Sequence, residues 1–271
     1  MTVLVTGSRG SVARTLIDLL REQAVEVRAA SSSTDAAVRC DLNDPATFEA
    51  ALDGVSAVFL YAESSHIGEF VQAAADAKVK HVVLLSSSSV LEPGAADDLL
   101  ARHHLEVEDA LLDSPVVTTI LRPGSFARNA KAWSWPIKSG RPVSLPFPGS
   151  HADPIHEADL AGCALAVLTK PELSGRCYRL TGPESLTFSR QVEHIADVLG
   201  LSISVRPVSR EEWKTEMADY VPSAYAEALL DFWERQDGKP IPINQVVEEL
   251  TGRPARAFTD WVRDHSDLFT G

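Results

Sequence analysis

The sequence predicts an α/β protein: a doubly wound parallel sheet with a smaller mixed lobe towards the C-terminus. Three observations carry this. Short apolar runs alternate with helical periodicity through the first 121 residues, and such alternation produces right-handed crossovers and a parallel sheet covered on both faces. Residues 2–13, TVLVTGSRGSVA, pass from an apolar run through a glycine turn directly into a helical pattern. Beyond about residue 130 the alternation gives way to Pro- and Gly-rich stretches with isolated helices.

The elements follow in order. Val3, Leu4 and Val5 suit a buried parallel strand. Gly7 and Gly10 permit a tight turn and close backbone approach to a ligand. Val12, Leu16, Ile17, Leu19 and Leu20 mark one face of an amphipathic helix. The free N–H groups and positive dipole end at its start attract a pyrophosphate. A G-x-x-G placed between strand and helix reads as a Rossmann-like nucleotide turn. Residues 25–30 form a second strand, followed by a Ser/Thr-rich turn and a short third run ending at Cys40. Asp44 is positioned to cap a helix over 46–52, with Pro45 in its first turn.

Residues 55–61, 79–85 and 116–121 are further strands, separated by helices over 67–77 and 99–112. The last strand stops at Arg122-Pro123-Gly124. The C-terminal part contains helices at Glu157–Thr169, 189–199 and about 209–217, strands at Cys177–Leu180 and 203–208, and a helical tail after the polar link 236–242. Two domains are expected: 1–130 for a dinucleotide and 131–271 as a lobe supplying the substrate pocket.

Composition narrows the function classes. The chain carries 38 acidic and 25 basic residues, a net charge of −13, and no basic run. Nucleic acid and anionic membrane surfaces are therefore not expected partners; a small-molecule substrate is. Cys40, Cys163 and Cys177 are widely separated, which suggests neither a disulfide framework nor a zinc site. They are expected to be small core residues in a reducing compartment. Neither a basic leader nor an apolar stretch of bilayer length is visible, so a cytoplasmic location is expected.

Ligands of an open α/β sheet bind outside the carboxyl ends of its strands. Those ends carry Gly7, Ser8, Arg9, Gly10, Ser11 and Val12; Ser31 and Ser32; Asp41 and Leu42; Tyr61 and Ala62; Ser86, Ser87 and Ser88; and Pro123 with Phe126. With these residues identified, the chain resembles the short-chain dehydrogenase/reductase superfamily, and within it the atypical, NmrA-like branch. The glycine turn Thr6–Ala13, the strand-end Asp41-Leu42, the segment Ile120-Leu121-Arg122-Pro123-Gly124-Ser125-Phe126 with Asn129, and Leu180-Thr181-Gly182-Pro183-Glu184 carry the likeness, as does Thr251-Gly252-Arg253-Pro254-Ala255 with Trp261 and Phe269. The resemblance implies that Asp41 and Leu42 lie beside an adenine and that Pro123 and Phe126 belong to a nicotinamide-side loop. Ala13 stands where the family often has a third glycine, an accepted variant.

The cofactor reading favours NADP(H) over NAD(H). Sites for NAD place Asp or Glu after the second strand to bind ribose hydroxyls. Here Ser31, Ser32 and Ser33 stand there, with no carboxylate until Asp35. Arg9, just before the second glycine, adds a cation suited to a 2′-phosphate.

The chemistry is less regular. The superfamily's usual Tyr-x-x-x-Lys pair places a phenol and an ammonium on one helix face, where the cation lowers the phenol's pKa. If Glu108 matches the branch's helix glutamate, Leu100 falls at the tyrosine place and His104 at the lysine place. His104, with His103 beside it, becomes the candidate general acid, because an imidazole titrates near neutral pH. Ser88, Trp133, Phe147 and His156 are candidates for the substrate pocket, and no metal is expected. The reading is an NADPH-dependent oxidoreductase of a small conjugated, aromatic or quinone-like substrate. The alternatives are a catalytically inactive dinucleotide-binding redox sensor, or an atypical tailoring oxygenase of polycyclic aromatics.

Overall fold

The computed structural model describes residues 1–270. The chain begins β1 (Thr2–Val5), α1 (Ser11–Glu22), β2 (Glu26–Ser31), β3 (Val38–Arg39), α2 (Phe48–Leu52), β4 (Ala57–Tyr61), α3 (Ile67–Asp76), β5 (His81–Leu85), α4 (Arg102–Leu112) and β6 (Val117–Pro123). It continues α5 (Ser134–Lys138), β7 (Val143–Leu145), β8 (His151–Ala152), α6 (Glu157–Thr169), β9 (Cys177–Leu180), β10 (Leu186–Thr187), α7 (Phe188–Leu199) and β11 (Val205–Pro207). The chain ends with α8 (Arg210–Met217), α9 (Ser223–Gln236), α10 (Val246–Thr251) and α11 (Phe258–Asp264).

Two compact units emerge. The first joins Met1–Pro123 with Glu157–Leu180 and Val246–Arg253. Its seven strands form one parallel sheet in the order β3-β2-β1-β4-β5-β6-β9. The order reverses direction between β1 and β4, which opens the crevice where ligands bind such sheets. Alternate strand residues Leu4, Val58, Leu60, Val82, Leu84 and Ile120 join Phe48, Phe70, Val107 and Leu111 of α2, α3 and α4 in one core. On the opposite face α1 packs along α6. Both sheet faces are thus covered, and the central strands read as unbroken apolar runs for that reason.

The second unit comprises Gly124–His156, Thr181–Gln245 and Pro254–Gly271. One of its cores gathers Ile137, Val143, Leu145, Ile195, Phe258, Trp261 and Phe269. A second gathers Val208, Trp213, Ala226 and Leu230. A single cut near residue 130 does not describe this division. β9 returns to pair with β6, and α6 packs on α1, so both fold with the N-terminal half.

Several elements differ from the sequence reading. The helix expected over 46–52 starts with a 3₁₀ turn, Pro45–Thr47, in which Ala46 N–H donates to the Asp44 carboxylate at 3.3 Å; α2 then begins at Phe48. The helix expected from residue 99 starts at Arg102. Leu100 N–H donates to the Asp98 carboxylate (2.7 Å) and Arg102 N–H to the Asp98 carbonyl (2.8 Å), which holds the preceding residues in a turn. α9 was not expected. Its Ala226, Leu230 and Trp233 lie one helical turn apart and enter the second core. Cys40 and Cys163 are buried, whereas Cys177 is exposed, because it opens the edge strand β9. No helix among the described residues is long and apolar enough to cross a membrane.

Candidate functional site: a dinucleotide turn at the sheet's switch point

The residues after β1 build the first part of the site. Thr6 ties the ends of β1 and β4 together. Its N–H and hydroxyl donate to the Phe59 carbonyl at 3.0 and 3.1 Å, and its oxygen accepts Tyr61 N–H at 3.2 Å. Gly7 follows with φ +57°, the left-handed region that glycine enters without penalty. A Cβ there would lie 2.8 Å from Tyr61 Cδ1, so the tyrosine ring packs directly on the turn. Gly10 N–H donates back to the Gly7 carbonyl at 2.8 Å and closes the turn.

Gly10 is also the N-cap of α1. It offers no side-chain acceptor, and the first turn of α1 contains no acidic residue. The helix therefore presents its amide hydrogens and positive end uncompensated, as an anion site requires. An adenine dinucleotide pyrophosphate fits this donor set. Val12 is buried, so only its backbone is available to a ligand.

The second strand end lies next to this turn. Ser8 N–H donates to the Ala30 carbonyl at 2.9 Å, which fixes the turn against the end of β2. Ser31 is buried, Ser32 exposed, and the Ser33 hydroxyl donates to the Asp35 carboxylate. That hydrogen bond, with one from the backbone, holds the Asp35 carboxyl below its ordinary range, and the Arg9 charge adds to the effect. Arg28 plays no part here. Its guanidinium donates to the Ala51 and Asp53 carbonyls at 2.9 and 2.7 Å, closing the C-terminal end of α2. After β3, Asp41 pairs with Arg39 at 3.4 Å and accepts Asn43 N–H, while the Leu42 side chain is buried in the core. Any contact from Leu42 to a ligand must therefore come from its backbone.

The ends of β5 and β6 are joined by side chains. Glu108 of α4 is 2% exposed. It accepts the Ser86 hydroxyl at 2.5 Å and the Nε and Nη2 hydrogens along one edge of the Arg122 guanidinium, with Arg122 Nε at 3.0 and 3.2 Å from its oxygens. Ser86 was a candidate cofactor ligand, but its hydroxyl is committed to Glu108. No local sequence pattern marks this cluster, since Ser86 follows β5 while Glu108 and Arg122 belong to α4 and β6. Ser87 turns inward locally, its oxygen accepting Ser89 N–H at 3.2 Å. Ser88 opens the short 3₁₀ turn Ser88–Leu91.

The histidine pair lies at the start of α4. The His103 and His104 rings are 4.0 Å apart. Burial, reinforced by His103, pushes the His104 imidazole down to about 4. Its Nδ1 is buried without a hydrogen-bond partner among the described residues. Desolvation thus disfavours the imidazolium form that a general acid at His104 requires. Beyond β4, Tyr61 and Ala62 lead to Glu63, whose carboxyl is held below its usual value by Ser65 hydrogen bonds and, less strongly, by His103. Burial and then the Glu63 charge raise the Tyr61 phenol above its ordinary range.

The remaining candidates lie in the second unit. Trp133 packs edge-on against Phe188 at 6.0 Å, and Phe188 packs against Trp233 at 5.4 Å. Phe147 packs against the core around Trp213 and Leu230. These aromatics are at least partly structural. His156 is 5% exposed, its Nε2 3.3 Å from an Asp264 carboxylate oxygen and its ring beside His265. It ties its loop to α11 and is not an open pocket wall. Phe126 forms an isolated bridge to Ile155 and leads into the 3₁₀ turn Ala127–Trp133.

Comparison with known proteins agrees with this geometry. A family model described as NAD(P)H-binding matches residues 7–171. The chain is 33% identical to a (4-alkanoyl-5-oxo-2,5-dihydrofuran-3-yl)methyl phosphate reductase of Streptomyces griseus, covering 98% of this chain and 99% of the relative. It is 26% identical to an NAD(P)H azoreductase of Xenophilus azovorans, covering 98% and 99%. Among solved structures it superposes on an NADPH-dependent quinone oxidoreductase of Escherichia coli with a TM-score of 0.82 and 21% identity, covering 97% and 99%. That likeness shows the Rossmann-like fold. The matched residues begin at Gly7, where the glycine turn, the acid-free start of α1 and the β1–β4 crevice coincide, and the chain belongs to the NAD(P)H-binding family.

Proposed function

We propose that the chain is an NADPH-dependent oxidoreductase of the NmrA-like branch, acting on a small conjugated acceptor such as a quinone, an azo compound or an unsaturated lactone. The observation that carries the reading is the start of α1: a glycine turn, no capping side chain and no acid in the first turn, with Arg9 beside a β2 end that offers serines. The names of the relatives, reductases of an unsaturated lactone phosphate and of azo compounds, support the acceptor class.

In this reading the Gly10–Ala13 backbone holds the pyrophosphate, Arg9 with Ser31–Ser33 takes the 2′-phosphate, and Asp41-Leu42 borders the adenine. Tyr61, Ala62, Ser87 and Pro123 border the nicotinamide half. A bound nicotinamide supplies hydride. The His104 imidazole, held towards its neutral form, is the hydrogen-bonding group for a substrate oxygen or nitrogen and is not a strong acid. A conjugated acceptor suits such a site, because it delocalises the incoming negative charge and needs less concerted protonation than an isolated carbonyl.

Thermal shift with NADPH, NADH or neither tests the cofactor, and NADPH oxidation against quinones, azo dyes and unsaturated lactones tests the acceptor. We expect stabilisation by NADPH exceeding that by NADH, and turnover of at least one acceptor. No shift with either nucleotide overturns the reading; binding without any turnover replaces it with a non-catalytic dinucleotide sensor. Arg9→Ala is expected to weaken NADPH about fivefold to tenfold relative to NADH, the scale of a charge-assisted contact at the surface. Equal loss for both nucleotides removes Arg9 from the 2′-phosphate.

A further inference from the structure

The chain carries 38 acidic and 25 basic residues, yet no Asp or Glu occurs between Asp113 and Asp153. Lys131, Lys138 and Arg141 fall in that interval, all in the second unit, and they gather around one exposed indole. The 3₁₀ turn Ala127–Trp133 runs directly into α5, the Ser134 N–H donating to the Lys131 carbonyl. Lys131, Trp135 and Lys138 succeed one another at helical-turn spacing along this path. All three are exposed, whereas Ala130 and Ile137 are buried in the core. Gly140, at φ +64°, turns the chain back. Arg141 N–H then donates to the Pro136 carbonyl at 2.8 Å, and the guanidinium carbon lies 4.9 Å from the centre of the Trp135 ring. Pairing of β7 with β11 anchors the chain just beyond. Trp135 nevertheless remains 64% exposed. Other cations of this unit, Arg190, Arg206, Arg210 and Lys214, are paired with carboxylates. Lys131, Lys138 and Arg141 make no ion pair among the described residues, and the nucleotide reading uses none of them.

We propose that Trp135, with Lys131, Lys138 and Arg141, forms a binding site for a planar aromatic anion: an arene carrying a sulfonate, carboxylate or phosphate group. The indole offers a stacking face, and Arg141 braces the ring by a cation–π contact. The lysine ammonium groups attract the anionic substituent, with no carboxylate of the same segment to oppose it. The scale of the patch selects a small ligand over a macromolecule. Anionic membrane surfaces are held by clusters of about four to eight cations, and duplex DNA by roughly six to ten phosphate contacts. Lys131, Lys138 and Arg141 around a single ring match a ligand of one or two fused rings. The net charge of −13 also opposes the approach of a large polyanion. The site belongs to the second unit alone and does not depend on a dinucleotide being bound.

Equilibrium dialysis of the nucleotide-free chain against naphthalene-2-sulfonate, and against neutral naphthalene-2-methanol, tests the site. We expect saturable binding of the sulfonate, about tenfold tighter than the neutral ring, and weakening as salt is raised. Trp135→Ala is expected to weaken the sulfonate about tenfold, the scale of one stacked ring. Trp135→Phe keeps a ring and should retain most of the affinity. Lys131→Gln and Lys138→Gln are expected to weaken the sulfonate about threefold each, the scale of an exposed charge contact, and to leave the neutral ring unaffected. Every substituted side chain is exposed, so the variants are expected to melt as the intact chain does. No saturable binding, equal affinity for the charged and neutral rings, or sulfonate binding unchanged by Trp135→Ala and Lys138→Gln overturns the proposal. Self-association of the intact chain that Trp135→Ala abolishes also overturns it, because the patch would then face a second copy.

Discussion

The glycine turn after β1 and the first turns of α4 serve the same sheet edge, but they are built from different materials. The turn uses backbone: a left-handed Gly7, a Gly10 that caps α1 without a side chain, and amide hydrogens aimed outward. The α4 side uses side chains: Glu108 clamped between Ser86 and Arg122, and the adjacent rings of His103 and His104. A backbone site tolerates changes of side-chain identity, as Ala13 in place of a third glycine illustrates. A side-chain site changes its chemistry with each replacement. Binding and chemistry can therefore diverge within one fold, and this chain keeps the features for the first more completely than those for the second.

The largest expected effect would separate the two regions. Glu108→Ala leaves Arg122 and Ser86 facing an emptied, buried position, and breaking a buried pair costs about 3–5 kcal/mol. Urea denaturation should show that loss, while the folded fraction retains its dinucleotide affinity. Equal loss of affinity would mean that the turn depends on the α4 clamp, and the contrast would fail.

The next effect is a pH dependence. His104 is held near 4 when folded, against 6.5 for an ordinary histidine, so the unfolded chain binds more protons between those values. Stability is fully present above pH 6.5 and is lost progressively as pH falls towards 4. The loss reaches about 3 kcal/mol at most, at ~1.4 kcal/mol per pH unit. Burial lowers His81 too, so the intact chain carries more than one such contribution. His104→Leu should flatten the His104 share of this acid limb in thermal melts from pH 4 to 7; an unchanged slope would show that the imidazole is hydrated and free to titrate.

Gly7→Ala is expected to have the smallest effect on stability and a direct effect on binding. A left-handed alanine costs about 1–2 kcal/mol, and its methyl would press on the Tyr61 ring. The nucleotide-induced thermal shift should fall sharply while the apo protein still folds. A normal shift would mean that Tyr61 yields and that the turn is less exacting than its geometry implies.

Much of the architecture was legible in local pattern. α6 and β9 have the bounds expected, and α7 starts one residue early and ends before left-handed Gly200, because periodicity and caps are local signals. α9 carries its signal in Ala226, Leu230 and Trp233, a helical spacing that its charged neighbours and the Gly/Pro-rich link after residue 236 dilute. Among site residues, the glycine turn and the serine-rich β2 end were visible because each occupies a few consecutive positions. The partners of Ser86 and His156, Glu108 and Asp264, were not legible, because each comes from an element distant in the chain.

The strand–helix alternation, the glycine turn and the lack of an early carboxylate after β2 are local properties of the chain. These follow from residue-level preferences for φ, burial and charge over a few neighbouring positions. Packing alone settled that Arg28 caps α2, that Ser86 belongs to Glu108, and that burial disfavours the charged form of His104. Each of these depends on desolvation or on partners from separate elements, and such terms exist only once the chain has packed.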